Sequence, residues 1–386
     1  MLARFVYAAA LVCSTLLLGS TMTSSTVKAL SRDEVRLATQ VYNNHFYNDY
    51  GEYAWSRKAM YYATTERKGR DGFWTTLEEI EMLIDAFEVT GDAQFKDRIR
   101  HLYHGFIDAH GPTWANNEFN DDIIWGVLMA VRALNIFNDG AMKDMAVNNF
   151  NIVWNRGWDE RTGGGIYWKT DKKSKNVCVN APAAIAAMLL YRVTGDAVYK
   201  DRAHMIMQWI KTKLLDNSGE VKGAMDANGK ITEGSRTYTQ GTFIGAAGML
   251  HQVYPNEGWL DAALKATDYA KSTISGPNGI LPDEYCDSQN GGDCSGFKGI
   301  FARWVGYFVR DHKLQSRYGS WLESNAKAAW AVRNSNGLMW AKWGQRTPDN
   351  GVFSSWEASS GVAMMSSVFF FRPEQQIGRQ LRSEEQ

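Results

Sequence analysis

Six segments of this chain are apolar around their whole circumference when wound as helices, and between them lie segments apolar on one side only. The fully apolar ones begin near Trp74, Asp121, Asn180, Gln240, Lys298 and Trp356, a repeat of roughly 45–60 residues. The one-sided ones begin near Arg32, Asp92, Ala141, Asp196, Gly258 and Ser316. Two of the hinges between them are near copies: Val89–Thr90–Gly91–Asp92–Ala93 returns as Val193–Thr194–Gly195–Asp196–Ala197. In each, glycine suits a left-handed helix end and aspartate caps the next helix. After the second hinge, Tyr199, Ala203, Ile206, Ile210 and Leu214 share one helical face, with Lys200, Lys211 and Lys213 off it. A helix apolar on every side needs neighbours on every side. An open solenoid used as a binding scaffold does not require that; a closed ring does. The expected fold is therefore all-α, an (α/α)6 toroid of six helical hairpins.

Long loops rich in Gly, Asn and Trp precede the inner helices, among them Thr162–Gly163–Gly164–Gly165–Ile166–Tyr167–Trp168 and residues 347–355. They are expected to gather at the N-terminal ends of the inner helices and build one cleft there. Gly163 to Gly165 follow no clear strand and lack the lysine–serine ending of a phosphate-binding loop, so nucleotide binding is set aside.

At one of those starts stand two adjacent carboxylates, Asp121 and Asp122, directly before an apolar run from Ile123 to Phe137. Like charges side by side raise each other's pKa, and burial adds to the rise. Two carboxyl groups in different protonation states are what glycosidic bond cleavage uses. Each residue also has a plainer reading, as an N-cap or a first-turn charge that complements the helix dipole. Convergence with the other inner-helix starts favours a site. Asn120, Asn180, Tyr238, Gln240 and Lys298 lie at such starts, Arg303 about a turn and a half into its helix, and Trp74, Trp125, Trp168 and Trp356 are candidates to line the cleft.

Lys+Arg and Asp+Glu are equal at 42 each, so no basic footprint points to nucleic acid. Arg4 followed by the apolar run Phe5–Leu18 is too short to span a membrane comfortably and reads as a secretory signal over residues 1–29, with an uncleaved anchor as the alternative. The remainder, 30–386, reads as one catalytic domain. The polar tail from Arg372 lacks the hydrophobic end of a lipid-anchor signal, so the mature protein is expected to be secreted, to the extracellular space or cell wall, without a membrane partner. Cys286 and Cys294 flank a short loop and suit a disulfide in an oxidising compartment; Cys178 reads as a buried thiol. No metal or other cofactor is expected, and no Asn-x-Ser/Thr acceptor occurs. A monomer is expected.

Over about Leu30 to Phe371 the chain resembles glycoside hydrolase family 76, the endo-α-1,6-mannanases and their relatives. The resemblance rests on Phe73–Trp74–Thr75–Thr76–Leu77–Glu78–Glu79, Asn120–Asp121–Asp122, Asn180–Ala181–Pro182, Thr237–Tyr238–Thr239–Gln240–Gly241 and Phe297–Lys298–Gly299–Ile300–Phe301–Ala302–Arg303. It implies the (α/α)6 fold and retaining hydrolysis of α-1,6-mannan, with Asp121 as nucleophile and Asp122 as acid/base. Two departures, Ala181 where the family has Gly and Thr239 where it has Asn, bear on subsites. Adjacent helical residues have Cα atoms about 3.8 Å apart and side chains about 100° apart. That geometry suits the shorter carboxyl separation of retention, about 5–5.5 Å. A transglycosylase acting on mannan or glycolipid-anchor glycans and a non-catalytic mannan-binding protein stand as alternatives. Sugar epimerases of this fold would carry histidine at the cleft, and none stands at an inner-helix start.

Overall fold

The computed structural model describes residues 29–372 except 55, 285 and 287–291. The signal-like segment as far as residue 28, with Cys13, and the tail from 373 lie outside the described residues. Twelve α-helices alternate as outer and inner members of a ring among these residues. The outer ones are α1 (Arg32–Phe46), α3 (Ala93–His110), α5 (Gly140–Gly157), α7 (Ala197–Lys213), α9 (Trp259–Tyr269) and α11 (Gln315–Ala331). The inner ones are α2 (Phe73–Thr90), α4 (Asn120–Phe137), α6 (Val177–Thr194), α8 (Thr237–Val253), α10 (Phe297–Asp311) and α12 (Ser355–Phe370). Contacts run α2–α4–α6–α8–α10–α12 and return from α12 to α2, which closes the ring as the alternation of apolar faces requires.

The hinges act as their sequences predict. Gly91 and Gly195 take left-handed φ values of 64° and 73° at the ends of α2 and α6. Asp92, Asp139 and Asp196 cap α3, α5 and α7 by accepting from the amides of Gln94, Ala141 and Val198. Two inner helices, α6 and α8, start three residues earlier than expected, α8 at Thr237 ahead of Gln240. Helix α6 starts at Val177, not at Asn180, so Pro182 sits inside it and the Cys178 carbonyl loses its helical donor.

Every residue of α12 is buried, including five serines. Ser359, Ser360, Ser366 and Ser367 are accommodated because each hydroxyl donates to a carbonyl three or four residues back in the same helix. Close approach between inner helices is built from glycine. A Cβ on Gly241 of α8 would stand 2.5 Å from the Cα of Phe301 on α10.

Among the described residues five short strands decorate the ring. β1 (Tyr47–Tyr53) and β2 (Ser56–Tyr61) pair antiparallel, Tyr47 opposite Tyr61, with a bulge between Asp49 and Gly51. β3 (Ser174–Asn176), β4 (Ala224–Asp226) and β5 (Ile231–Glu233) form an antiparallel sheet in that order. β3 leads straight into α6, and β5 ends four residues before α8, so this sheet sits on the rim where inner helices begin.

Between the two ends of the ring lies a buried ionic layer. Arg303 on α10 donates to Asp85 at 2.6 Å and to Glu78, both on α2. Arg132 on α4 donates to Glu81 and Asp85 at 2.8 and 2.7 Å and to the Tyr307 hydroxyl. Arg303 was expected at the cleft; at 1% exposure it is enclosed in this layer and does not line it. A buried guanidinium is tolerated only where carboxylates take up its donors, and α2 supplies them.

Candidate active site

The first turn of α4 carries Asp121 and Asp122. The chain entering that turn is clamped by Arg156 of α5. Its guanidinium donates to the Asn120 side chain at 2.7 Å and to the carbonyls of Ala115 and Asn117 at 2.8 and 2.7 Å. Asn120 donates in turn to the Tyr167 carbonyl at 2.8 Å. This ties the start of α4 to the loop that delivers Trp168. The Trp168 indole N–H then donates to Oδ2 of Asp121 at 3.0 Å. Asp122 accepts from the Asn117 side-chain amide at 2.9 Å. Oδ1 of Asp121 is buried with no hydrogen-bond donor on it.

A cleft of about 370 Å³ opens over the pair, walled by Trp74, Trp125, Trp168, Tyr238 and Phe297. The rings form a continuous surface. Trp74 meets Trp356 edge to face at 4.8 Å and lies 6.5 Å from Trp125, and Tyr238 contacts Phe297 at 4.1 Å. Trp356 stands behind this wall, 4% exposed, with its indole N–H donating to the Asp293 carbonyl at 2.8 Å.

Burial pushes Asp121 up to about 7, and the neighbouring charge of Asp122 adds to it, against the Cys178 thiol and the Trp168 indole, which favour the ionised form. Asp122 is pushed up to about 6, again chiefly by burial, against the Asn117 amide and with a contribution from Asp293. The rise expected on Asp122 from its neighbour therefore acts on Asp121 instead, and Asp122 feels Asp293. Interacting groups of this kind titrate as a pair. These shifts favour a shared proton on Asp121 over Asp122, so they do not by themselves assign acid and nucleophile.

Four other residues expected at the cleft are spent elsewhere. Asn180 is fully buried, accepting from the Ile166 amide at 2.7 Å and donating to the Ile166 and Asn176 carbonyls at 2.8 Å. Gln240 accepts from the Val221 amide and donates to the carbonyls of Gly219 and Ala266. Lys298 is 1% exposed, paired with Asp283 at 2.9 Å and lying over the Trp343 ring. Asn120 acts as the clamp described above. In each case the polar group closes a loop onto the helix instead of facing the cleft, because the carbonyls and amides of an irregular loop need buried partners.

The cleft also holds carboxylates that sequence reasoning missed. Glu233 ends β5 and Asp293 stands just before α10, and both line it with Asn176 and Cys178. Position alone was the available signal, since both fall within a few residues of an inner-helix start. A disulfide joins Cys286 to Cys294 beside Asp293, as the spacing suggested. Ser295 in that loop donates to Glu357 at 2.9 Å. Cys178 is a free, buried thiol.

Trp168→Phe keeps the ring and removes the N–H. A hydrogen bond to a charged group is worth about 1.5–3 kcal/mol, so kcat/KM is expected to fall about 10- to 100-fold. The acidic limb of the pH–rate profile should move upward, because Asp121 loses a donor that favours its ionised form. An unmoved profile would leave Trp168 a wall residue only.

A model described as glycosyl hydrolase family 76 matches residues 32–375. Mannan endo-1,6-alpha-mannosidase DCW1 of Saccharomyces cerevisiae is 26% identical over 236 residues, which is 56% of this chain and 52% of that protein. DFG5 of the same yeast, also named a mannan endo-1,6-alpha-mannosidase, is 27% identical over 282 residues, 65% of this chain and 60% of that one. The chain thus spans about half to three-fifths of the length of these curated relatives. Among solved structures, the GH76A alpha-1,6-mannanase of Salegentibacter sp. HEL1_6 superposes with a TM-score of 0.78 at 27% identity, over 88% of this chain and 99% of that one. An inactive variant of that enzyme, with two consecutive aspartates replaced by alanine, was solved in complex with alpha-1,6-mannotetrose and superposes at 0.77.

Proposed function

Because the chain belongs to glycosyl hydrolase family 76, we propose that it is an endo-acting glycoside hydrolase cleaving α-1,6-mannosidic linkages with retention of configuration. The observation that carries this reading is the Asp121–Asp122 pair on the floor of an aromatic cleft, each carboxyl held by one N–H donor. It is supported by the Salegentibacter relative, in which a variant lacking two consecutive aspartates is inactive and holds an α-1,6-mannooligosaccharide.

Roles follow from exposure. An acid/base must exchange protons with water, which suits Asp122, the less buried of the two. Asp121, deeper and facing an indole N–H, suits the nucleophile. Asp122 gives its proton to the leaving glycosidic oxygen as the Asp121 carboxylate bonds to the anomeric carbon and the C–O bond breaks. Asp122, now ionised, takes a proton from water; the water oxygen displaces Asp121 from the anomeric carbon, and Asp122 ends protonated. A disulfide suits an oxidising compartment, consistent with an exported enzyme acting on wall mannan. Residues 30–386 would form its single catalytic domain, with residues 1–29 the export signal.

Proton NMR of the first products from a defined α-1,6-mannooligosaccharide tests this reading. The α-anomer is expected first. Early β-anomer would exclude double displacement, and mannosyl transfer to added acceptor in preference to water would make the protein a transglycosylase.

A further inference from the structure

The ring has a second mouth. At the end opposite the cleft, the last turns of α2, α4, α6, α8 and α10 enclose a cavity of about 650 Å³, within the size range of small-molecule sites. Its wall is cationic. Lys96, Arg132, Arg192 and Arg310 line it, with Glu88 as the carboxylate among the lining residues. Arg132 is already matched by Glu81 and Asp85. Arg310 is paired with Asp311 at 2.6 Å. Arg192 donates to the Gln252 side chain at 2.9 Å, and it feels both the repulsion of Arg310 and the attraction of Asp311.

Arg192 and Arg310 thus stand close together in a partly buried basin, with Asp311 acting on both and Glu88 on Arg310, and burial itself penalises their charge. A second observation concerns Trp304 on the same wall. Its side chain is 1% exposed, and its indole N–H has no hydrogen-bond partner. A buried donor without a partner is costly, and Trp304 carries that cost in the wall of this basin.

We propose that this basin is a second ligand site, which takes a small phosphate monoester, with Arg192 and Arg310 on the phosphate. Phosphate fits better than a carboxylate because a monoester carries nearly two negative charges and meets guanidinium forks in bidentate fashion. The ionic layer of Arg132 and Arg303 separates this site from Asp121 and Asp122, so occupancy of one leaves the other open. The competing explanation is that guanidiniums here only complement the negative ends of converging helices. That role predicts no ligand.

Calorimetry on the full chain at constant ionic strength separates the two. Inorganic phosphate and mannose 6-phosphate are expected to bind saturably, the sugar phosphate more tightly. Arg192→Gln is expected to weaken both about tenfold or more, with Arg310→Gln as the parallel variant should the first not fold. In Asp121→Asn protein whose cleft is filled with α-1,6-mannotetraose, phosphate affinity should be unchanged. Absence of saturable binding to the folded protein, insensitivity to both arginine variants, or displacement by the mannotetraose would each overturn the proposal.

Discussion

Asp121→Ala and Asp122→Ala are each expected to lower turnover of α-1,6-mannan by on the order of 10⁴-fold, the scale seen when a single member of a catalytic group is removed. The two variants should then differ in how they are rescued. With an aryl α-mannoside that needs no acid to depart, azide can replace the missing group. In Asp122→Ala the mannosyl–Asp121 ester still forms, and azide displaces it to give an α-mannosyl azide. In Asp121→Ala there is no ester, and azide attacks the substrate directly to give the β-anomer. NMR of the azide product therefore reads the roles directly, and exchanged anomers would exchange the two assignments.

Loss of activity in these variants should not be loss of fold. Both carboxyls are pushed up by burial, to about 7 and about 6, so ionising them works against the folded state. Asp121→Asn or Asp122→Asn is neutral and nearly isosteric, and is expected to melt at or above the wild-type temperature near pH 8. That outcome would identify the pair as a site kept at a cost in stability.

The second large effect is on stability. Arg303→Met is expected to destabilise the protein by about 3–5 kcal/mol, the cost of breaking a buried ion pair from one side. The methionine fills much of the volume, but Glu78 loses its guanidinium and Asp85 keeps only Arg132. The loss should depend on pH. Burial pushes Glu78 up to about 7 even with Arg303 beside it, against about 4.3 in an unfolded chain. The folded state thus binds this proton more tightly, so its contribution is full below about pH 4 and is lost as pH rises through about 7. Without Arg303 the charged form of Glu78 is costlier still. Urea denaturation should show a smaller deficit for Arg303→Met at pH 5 than at pH 8, and equal deficits would remove the ionic explanation.

Much of the architecture could be read from the chain. Asn180 to Val193 and Thr239 to Val253 are apolar all round, and they are the cores of α6 and α8. Periodicity is a local property that survives any packing, so it is written in the sequence residue by residue. The same holds for Gly91–Asp92 and Gly195–Asp196, where backbone conformation and capping need no distant partner. Asp121 and Asp122 were conspicuous for a related reason, being two charges at the threshold of a run that had to be buried.

What the sequence could not decide was the direction in which a polar side chain at an inner-helix start is used. Trp168 and Asn180 both stand by such a start; one reaches Asp121 and the other closes the loop at Ile166. Lys298 and Arg303 lie on the same helix as cleft-lining Phe297 and Ile300, yet Lys298 ends in a pair with Asp283 and Arg303 in the ionic layer with Glu78 and Asp85. Glu233 and Asp293 entered the cleft from the end of short β5 and from the turn just before α10, neither with a sequence pattern of its own. An inner helix in a ring has a neighbour or a cavity on every side, and which one a side chain meets is set by where the loops cross. The chain by itself determined that a ring would form and that two carboxyls would stand at one of its mouths. Only the closed structure decided which polar groups are spent holding that mouth in shape and which remain free to meet a sugar.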